Sequence, residues 1–187
     1  MTNIVGISVS LRAGSYNSAL LRAAGAAMPS GTTFTVATIR GIPVYDGDVE
    51  TAGFPPTVIQ LKDAILAGDG LLIATPEYNN SIPGALKNAV DWLSRLPDQA
   101  RVFKDRPVAI MGASLGSGAI LSQAAWLPIL HRLSARIWHG GRLMVPGADK
   151  AFDTNGTLTD ERTRTSLQTF VAGFAAFVAA ERAHGTQ

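Results

Sequence analysis

The chain contains no cysteine. That absence excludes disulfides, thiolate nucleophiles, Cys-ligated zinc and iron–sulfur clusters together, and it fits a reducing compartment. Histidine is scarce, at three residues, and His131 and His139 stand at no metal-ligand spacing from an acidic residue, so no metal centre is expected. Charged residues make up 16% of the chain, 16 basic against 14 acidic, for a net charge of +2. No run of five like charges occurs, which excludes a nucleic-acid tail or a basic membrane patch. The most apolar late stretch, Phe170 to Ala180, falls short of the roughly 20 residues of a membrane span. The start, Met1-Thr2-Asn3, lacks the basic region of a signal peptide. A cytoplasmic protein with no nucleic-acid or membrane partner is expected. Missing too are the P-loop and Gly-x-Gly-x-x-Gly patterns of nucleoside triphosphate and dinucleotide sites.

What is present is apolar substance: 187 residues, 47% of them hydrophobic, enough for one domain over residues 1–187 with a buried core. Strand-like runs alternate with helical ones. Strands are expected at Asn3–Val9, Thr33–Ile39, Gly70–Ala74, Pro107–Ala113 and Arg136–Val145. Helices are expected at Asn17–Met28, Thr57–Ala67, Pro83 to about Arg95, Gly118–Leu133 and Thr159–His184. Gly41 to Pro56, with three prolines and three glycines, reads as a loop. In the last helix Leu167, Phe170, Val171, Phe174, Phe177 and Val178 form an apolar stripe, with Ala172, Gly173, Ala176 and Ala180 as a small-residue side for close packing. Five strands alternating with five helices predict an α/β fold, with parallel strands joined by right-handed crossovers. In such sheets ligands bind beyond the carboxyl ends of the strands, near the point where strand order reverses. The chemistry is therefore sought in three loops.

The first, Ser10 to Ser18, packs hydroxyls, Asn17, Gly14 and Arg12 between a strand and a helix start. Backbone N–H groups there, with hydroxyl donors and a guanidinium, make an anion site suited to a phosphate monoester. The competing reading is a capped turn in which Ser15 or Asn17 only caps the helix. The second loop, Thr75 to Asn88, is stiffened by Pro76 and Pro83. Its backbone groups suit the edge of a planar heterocycle and Tyr78 its face; the alternative makes Tyr78 a rim aromatic and Asn79 a turn former. The third loop, Gly112-Ala113-Ser114-Leu115-Gly116-Ser117-Gly118, lets a ligand approach its backbone. It also matches the Gly-x-Ser-x-Gly nucleophile elbow, with Asp149 or Asp153 and His184 following in hydrolase order. His184 stands three residues from the chain's end, and a hydrolase leaves the first two loops without a task.

The Ser-x-Arg-x-Gly-Ser-x-Asn loop, together with Pro-Glu-Tyr-Asn-x-Ser-Ile-Pro-Gly-x-Leu-Lys-Asn-x-x-Asp-Trp at Pro76–Trp92, resembles the NADPH-dependent FMN reductase family, which includes quinone, chromate and azo-dye reductases. The resemblance implies a flavodoxin-like, doubly wound five-stranded parallel sheet in the order 2-1-3-4-5 with helices on both faces. It implies FMN as cofactor, with Ser10, Arg12, Gly14, Ser15 and Asn17 around the phosphate. Pro76, Glu77, Tyr78 and Asn79 would border the isoalloxazine ring, and Ser114 and Gly116 its other side. Leu115 stands where relatives often carry a small or polar residue. NADPH or NADH would be the co-substrate and a quinone, azo dye, metal oxyanion or flavin the acceptor, with no catalytic side chain required. A homodimer or homotetramer is implied, with Gly84–Arg95, Trp92 and Leu93 included, in the subunit contact. Two other readings share the resemblance. One is a flavodoxin-like electron carrier, whose usual strong acidity this slightly basic chain lacks; in the other, FMN is a released substrate supplying a monooxygenase.

Overall fold

The computed structural model describes residues 1–9, 12, 14–95 and 102–185, the last two by backbone alone. Ser10, one of the expected phosphate residues, lies outside them. Strands β1 (Thr2–Ser8), β2 (Thr32–Thr38), β3 (Gly70–Ala74), β4 (Pro107–Ala113), β5 (Arg136–Ile137) and β6 (Leu143–Val145) form one parallel sheet. Its order is β2-β1-β3-β4-β5, with β6 also on β4. Helices among the described residues are α1 (Tyr16–Ala26), α2 (Gly47–Ala52), α3 (Pro56–Leu66), α4 (Gly84–Leu93), α5 (Ile120–Arg132), α6 (Ala148–Ala151) and α7 (Glu161–Gly185).

The central strands carry apolar side chains on both faces, so both need a helical cover. One face of Ile4, Leu72, Ala109 and Met111 meets Leu20, Leu21 and Ala24 of α1 and Val171, Phe174 and Val178 of α7. The other, of Val5, Ile7, Leu71, Ile73 and Val108, meets Val58, Leu61 and Ile65 of α3, Trp92 of α4 and Trp126 of α5. Each such side chain taken out of water contributes about 1.5–3 kcal/mol before entropy. Strand β2 alternates in burial, as an edge strand does. Because β2 lies on one side of β1 and β3 on the other, strand order reverses between β1 and β3, which sets the loops after β1, β3 and β4 side by side.

Four features differ from the sequence expectation. The region Arg136–Val145 is two short strands. Val108 faces Ile137 and Met111 faces Leu143, so residues 138–142 leave the ladder as an outward loop. Gly41 to Pro56 contains α2, which starts where the Asp46 carboxylate accepts from Asp48 N at 2.9 Å. Trp92 and Leu93 are buried inside the chain itself, at 0% and 1% exposure, and so cannot carry a subunit contact. Trp92 Nε1 donates to Pro43 O at 2.9 Å, and its ring packs edge-on against Tyr45 and Phe54. In α7 the apolar stripe is buried as expected, but Ala172, Ala176 and Ala180 are exposed; of the small residues only Gly173 packs, against Trp138. Among the described residues no helix is long and apolar enough to cross a membrane.

Candidate functional site

In the first loop, Ser15 caps α1: its Oγ accepts from Ser18 N at 3.3 Å, with the backbone extended at φ −78° and ψ 124°. Ser8 and Ser18 share a hydroxyl–hydroxyl hydrogen bond of 2.6 Å beneath it. Arg12 is exposed; its Nη2 donates to Gly14 O at 3.1 Å, and no carboxylate pairs with it among the described residues. A cleft of about 310 Å³ runs beside this loop, between Gly14, Ser15 and Tyr16 on one wall and Asp153–Gly156 on the other.

Asn17 ties α1 to the third loop. It is buried at 3% exposure, its Nδ2 donates to Ala113 O at 2.9 Å and its Oδ1 accepts from Ala113 N at 2.9 Å. Each end of the amide makes one hydrogen bond to a residue 96 positions away at the tip of β4. The side chain closes the ladder where no strand continues and locks the first loop to the third.

The second loop is tied down twice. Thr75, fully buried, shares a 3.0 Å hydrogen bond with Ser122 Oγ and accepts from Trp126 Nε1 at 3.3 Å. Tyr78 and Ser81 exchange backbone hydrogen bonds of 3.1 and 3.0 Å across Asn79 and Asn80, whose φ angles are 50° and 58°. Two left-handed residues in succession make a tight hairpin turn, for which asparagine is among the best L-residues. Asn79 is thus a turn former, and Tyr78, at 53% exposure, stands on the rim beside it.

In the third loop Ser114 Oγ accepts from Gly118 N at 2.8 Å and Ala119 N at 3.2 Å. It shapes the turn into α5; the base of the nucleophile-elbow reading, His184, lies outside the described side chains. Gly112 and Gly118 are required here. A Cβ on Gly112 would lie 2.7 Å from Thr75 O, and Gly118 has φ +73° with Val145 N 2.7 Å from its Cβ position. Gly116, by contrast, faces open space. Sequence reasoning missed the cross-links between loops, because partners 40 to 96 residues apart leave no local pattern.

Elsewhere, Glu50 accepts from Tyr45 Oη at 2.6 Å and Arg95 Nε at 3.1 Å, which holds the α2 segment over α4. Hydrogen bonds from Tyr45 and Arg95 hold the Glu50 carboxyl below its usual range, and the bond to Glu50 raises the Tyr45 phenol. Another cleft, of about 350 Å³, opens at the interrupted fifth strand between α5 and residues 138–142, away from the strand tips.

A doubly wound parallel sheet with a capped helix start, a tight hairpin and a small-residue turn at three adjacent strand tips defines a flavodoxin-like fold. A family model described as NADPH-dependent FMN reductase matches residues 2–150. The chain belongs to that family. It is 45% identical to the NAD(P)H-dependent FMN reductase of Pseudomonas aeruginosa over 88% of this chain and 89% of that protein. Its identity to the 2-hydroxy-1,4-benzoquinone reductase of a Burkholderia species is 38%, over 90% and 92%. Among solved structures, the flavoenzyme NAD(P)H:acceptor oxidoreductase FerB of Paracoccus denitrificans superposes with a TM-score of 0.87 at 32% identity, covering 97% of this chain and 99% of that one.

Proposed function

We propose that this chain holds FMN across the three loops and uses it to pass two electrons from NAD(P)H to a quinone. The oxidoreductase class and the FMN and NAD(P)H cofactors follow from family membership; the quinone is drawn from the printed activities of the relatives. One observation carries the reading. A cation that pairs with no carboxylate among the described residues, Arg12, stands by the capped N-terminus of α1, and buried side chains cross-link the loops at the three adjacent strand tips.

The residues fit the cofactor chemically. The first-turn N–H groups of α1, the Ser15 hydroxyl and Arg12 suit a phosphate, with Gly14 leaving open space. Pro76, Glu77, Tyr78 and Asn79 form a preset platform for a flat ring, and Ser114 and Gly116 border the open side. When bound, FMN supplies the hydride and electron chemistry. The chain's part is to orient it. Backbone amides of the second and third loops would supply donors to the ring's polar edge, and the buried braces would keep those loops fixed. Asn17 contributes as a brace on Ala113. No side chain acts as nucleophile or general base in this account.

Exposed apolar residues occur on the third loop (Leu115) and on α5 (Ile120, Leu121 and Leu127). A cluster of this kind supports self-association, and a homodimer or homotetramer through this face replaces the contact expected at Trp92 and Leu93. Cytoplasmic localisation and one domain over residues 1–187 belong to the same reading.

The test is an absorption spectrum of the purified chain before and after adding FMN, followed by anaerobic NADPH titration and turnover with benzoquinone, an azo dye, chromate and free FMN. The account expects FMN retained on gel filtration and NADPH oxidation fastest with the quinone. An electron carrier would bind FMN yet consume no nicotinamide unaided. Release of FMN on the column with full activity would favour the diffusible-flavin role.

A further inference from the structure

The resemblance places Glu77 beside the flavin, yet its carboxylate is engaged elsewhere. Oε2 accepts from the backbone N–H groups of Leu121 at 2.8 Å and Ser122 at 3.2 Å, and Oε1 accepts from Ser117 Oγ at 3.5 Å. Those amides belong to the first turn of α5, and α5 has no side-chain cap of its own. Its capping position is Ala119, in the left-handed region at φ 63° and ψ 34°. An uncapped helix start leaves N–H groups unsatisfied and presents the positive end of the helix dipole. Glu77 supplies the missing acceptor and the opposing charge from 44 residues upstream.

The position of this contact gives it a consequence for the chemistry. Glu77 belongs to the loop after β3, and α5 starts at the end of the loop after β4. These are the two loops assigned above to opposite borders of the ring. On the buried side Thr75 joins Ser122 and Trp126 of the same helix. Glu77 makes the corresponding link on the partly exposed side, nearer the crevice. We propose that Glu77 is a positioning residue that acts on the flavin through α5. Its carboxylate fixes the spacing of the two ring-bordering loops, and its charge cancels the positive helix end that would otherwise favour the reduced, anionic cofactor. This rests on the flavin reading above.

Two variants separate the geometric part from the electrostatic one. Glu77→Gln keeps an acceptor oxygen for the helix amides and removes the charge; Glu77→Ala removes both. The first measurement is hydrogen exchange at Leu121 and Ser122 in the cofactor-free chain. Protection is expected in the parent, largely kept in Glu77→Gln, and at least tenfold weaker in Glu77→Ala. Unchanged exchange in Glu77→Ala would overturn the brace. The second is the ratio of affinities for reduced and oxidised FMN, read as the midpoint potential of the bound cofactor. Glu77→Gln is expected to shift that ratio about two- to fivefold toward the reduced form, the size of an exposed helix-dipole interaction. An unmoved potential, or a shift toward the oxidised form, would overturn the charge compensation. If the parent chain binds no FMN, the flavin reading fails and the electrostatic part with it, while the exchange measurement still decides the brace.

Discussion

Replacing Asn17 with Ala removes one side chain and strands two backbone groups. The amide makes two hydrogen bonds of 2.9 Å to Ala113, and Ala113 is itself only 2% exposed. Two neutral hydrogen bonds contribute about 0.5–1.5 kcal/mol each, and a buried backbone group left unpaired costs about 1–3 kcal/mol. Water entering the vacated space recovers part of this, so a net loss of about 2–4 kcal/mol is expected. For a chain of this size each kcal/mol moves Tm by roughly 2–4 °C, which gives a drop of roughly 5–15 °C. Urea unfolding of the cofactor-free protein, with the m-value checked for constancy, measures it directly. Asn17→Asp keeps the acceptor for Ala113 N but sets an oxygen against Ala113 O, and it should destabilise as well. The brace also predicts a weakened affinity for FMN and riboflavin alike, because the first and third loops lose their alignment. A variant as stable as the parent to within about 0.5 kcal/mol, losing FMN but keeping riboflavin, would refute this reasoning and make Asn17 a direct phosphate ligand.

Three further outcomes follow from particular residues. Arg12→Ala should weaken FMN by about 10- to 100-fold, the worth of one charge-assisted hydrogen bond, and leave riboflavin unchanged in a fluorescence titration; equal losses would show that the loop does not read phosphate. Gly112→Ala drives a methyl to 2.7 Å from Thr75 O, a backbone atom, and should cost about 1–3 kcal/mol of stability in denaturant. For Glu50 the folded carboxyl titrates below its ordinary value of 4.5. Its contribution is therefore complete above that value and is lost as pH falls through the lower folded value. Glu50→Gln should flatten the acid limb of stability against pH, and superimposable limbs would contradict the role given to the Tyr45–Glu50–Arg95 cluster.

Much of the architecture was legible because its cause is local. Gly70–Ala74 and Pro107–Ala113 are short, uniformly apolar runs, the pattern of strands covered on both faces. Pro83 stands immediately before α4, which opens at Gly84. The interrupted fifth strand was not legible, because leaving and rejoining the edge of β4 depends on how residues 138–142 pack around Trp138 and Phe170, not on their periodicity. Helix α2 was hidden by the prolines and glycines around it, although Asp46 marks its start. At the site, residue types announced a capped helix start and a stiff turn. They did not reveal that Asn17 and Glu77 spend their polar atoms on distant backbone, since a brace and a ligand contact call for the same side chains. Trp92 illustrates the same limit: an aromatic on a predicted helix reads equally as interface or core, and only packing against Tyr45 and Phe54 separates the two.

The central claim, that the crevice over β1, β3 and β4 holds FMN by its phosphate, is tested most directly by calorimetric titration of the cofactor-free chain with FMN and with riboflavin. The account predicts saturable, stoichiometric FMN binding that is much tighter than riboflavin binding, with the difference narrowed about 10- to 100-fold in Arg12→Ala. Absence of FMN binding, or equal affinity for the two ligands in the parent chain, would contradict it.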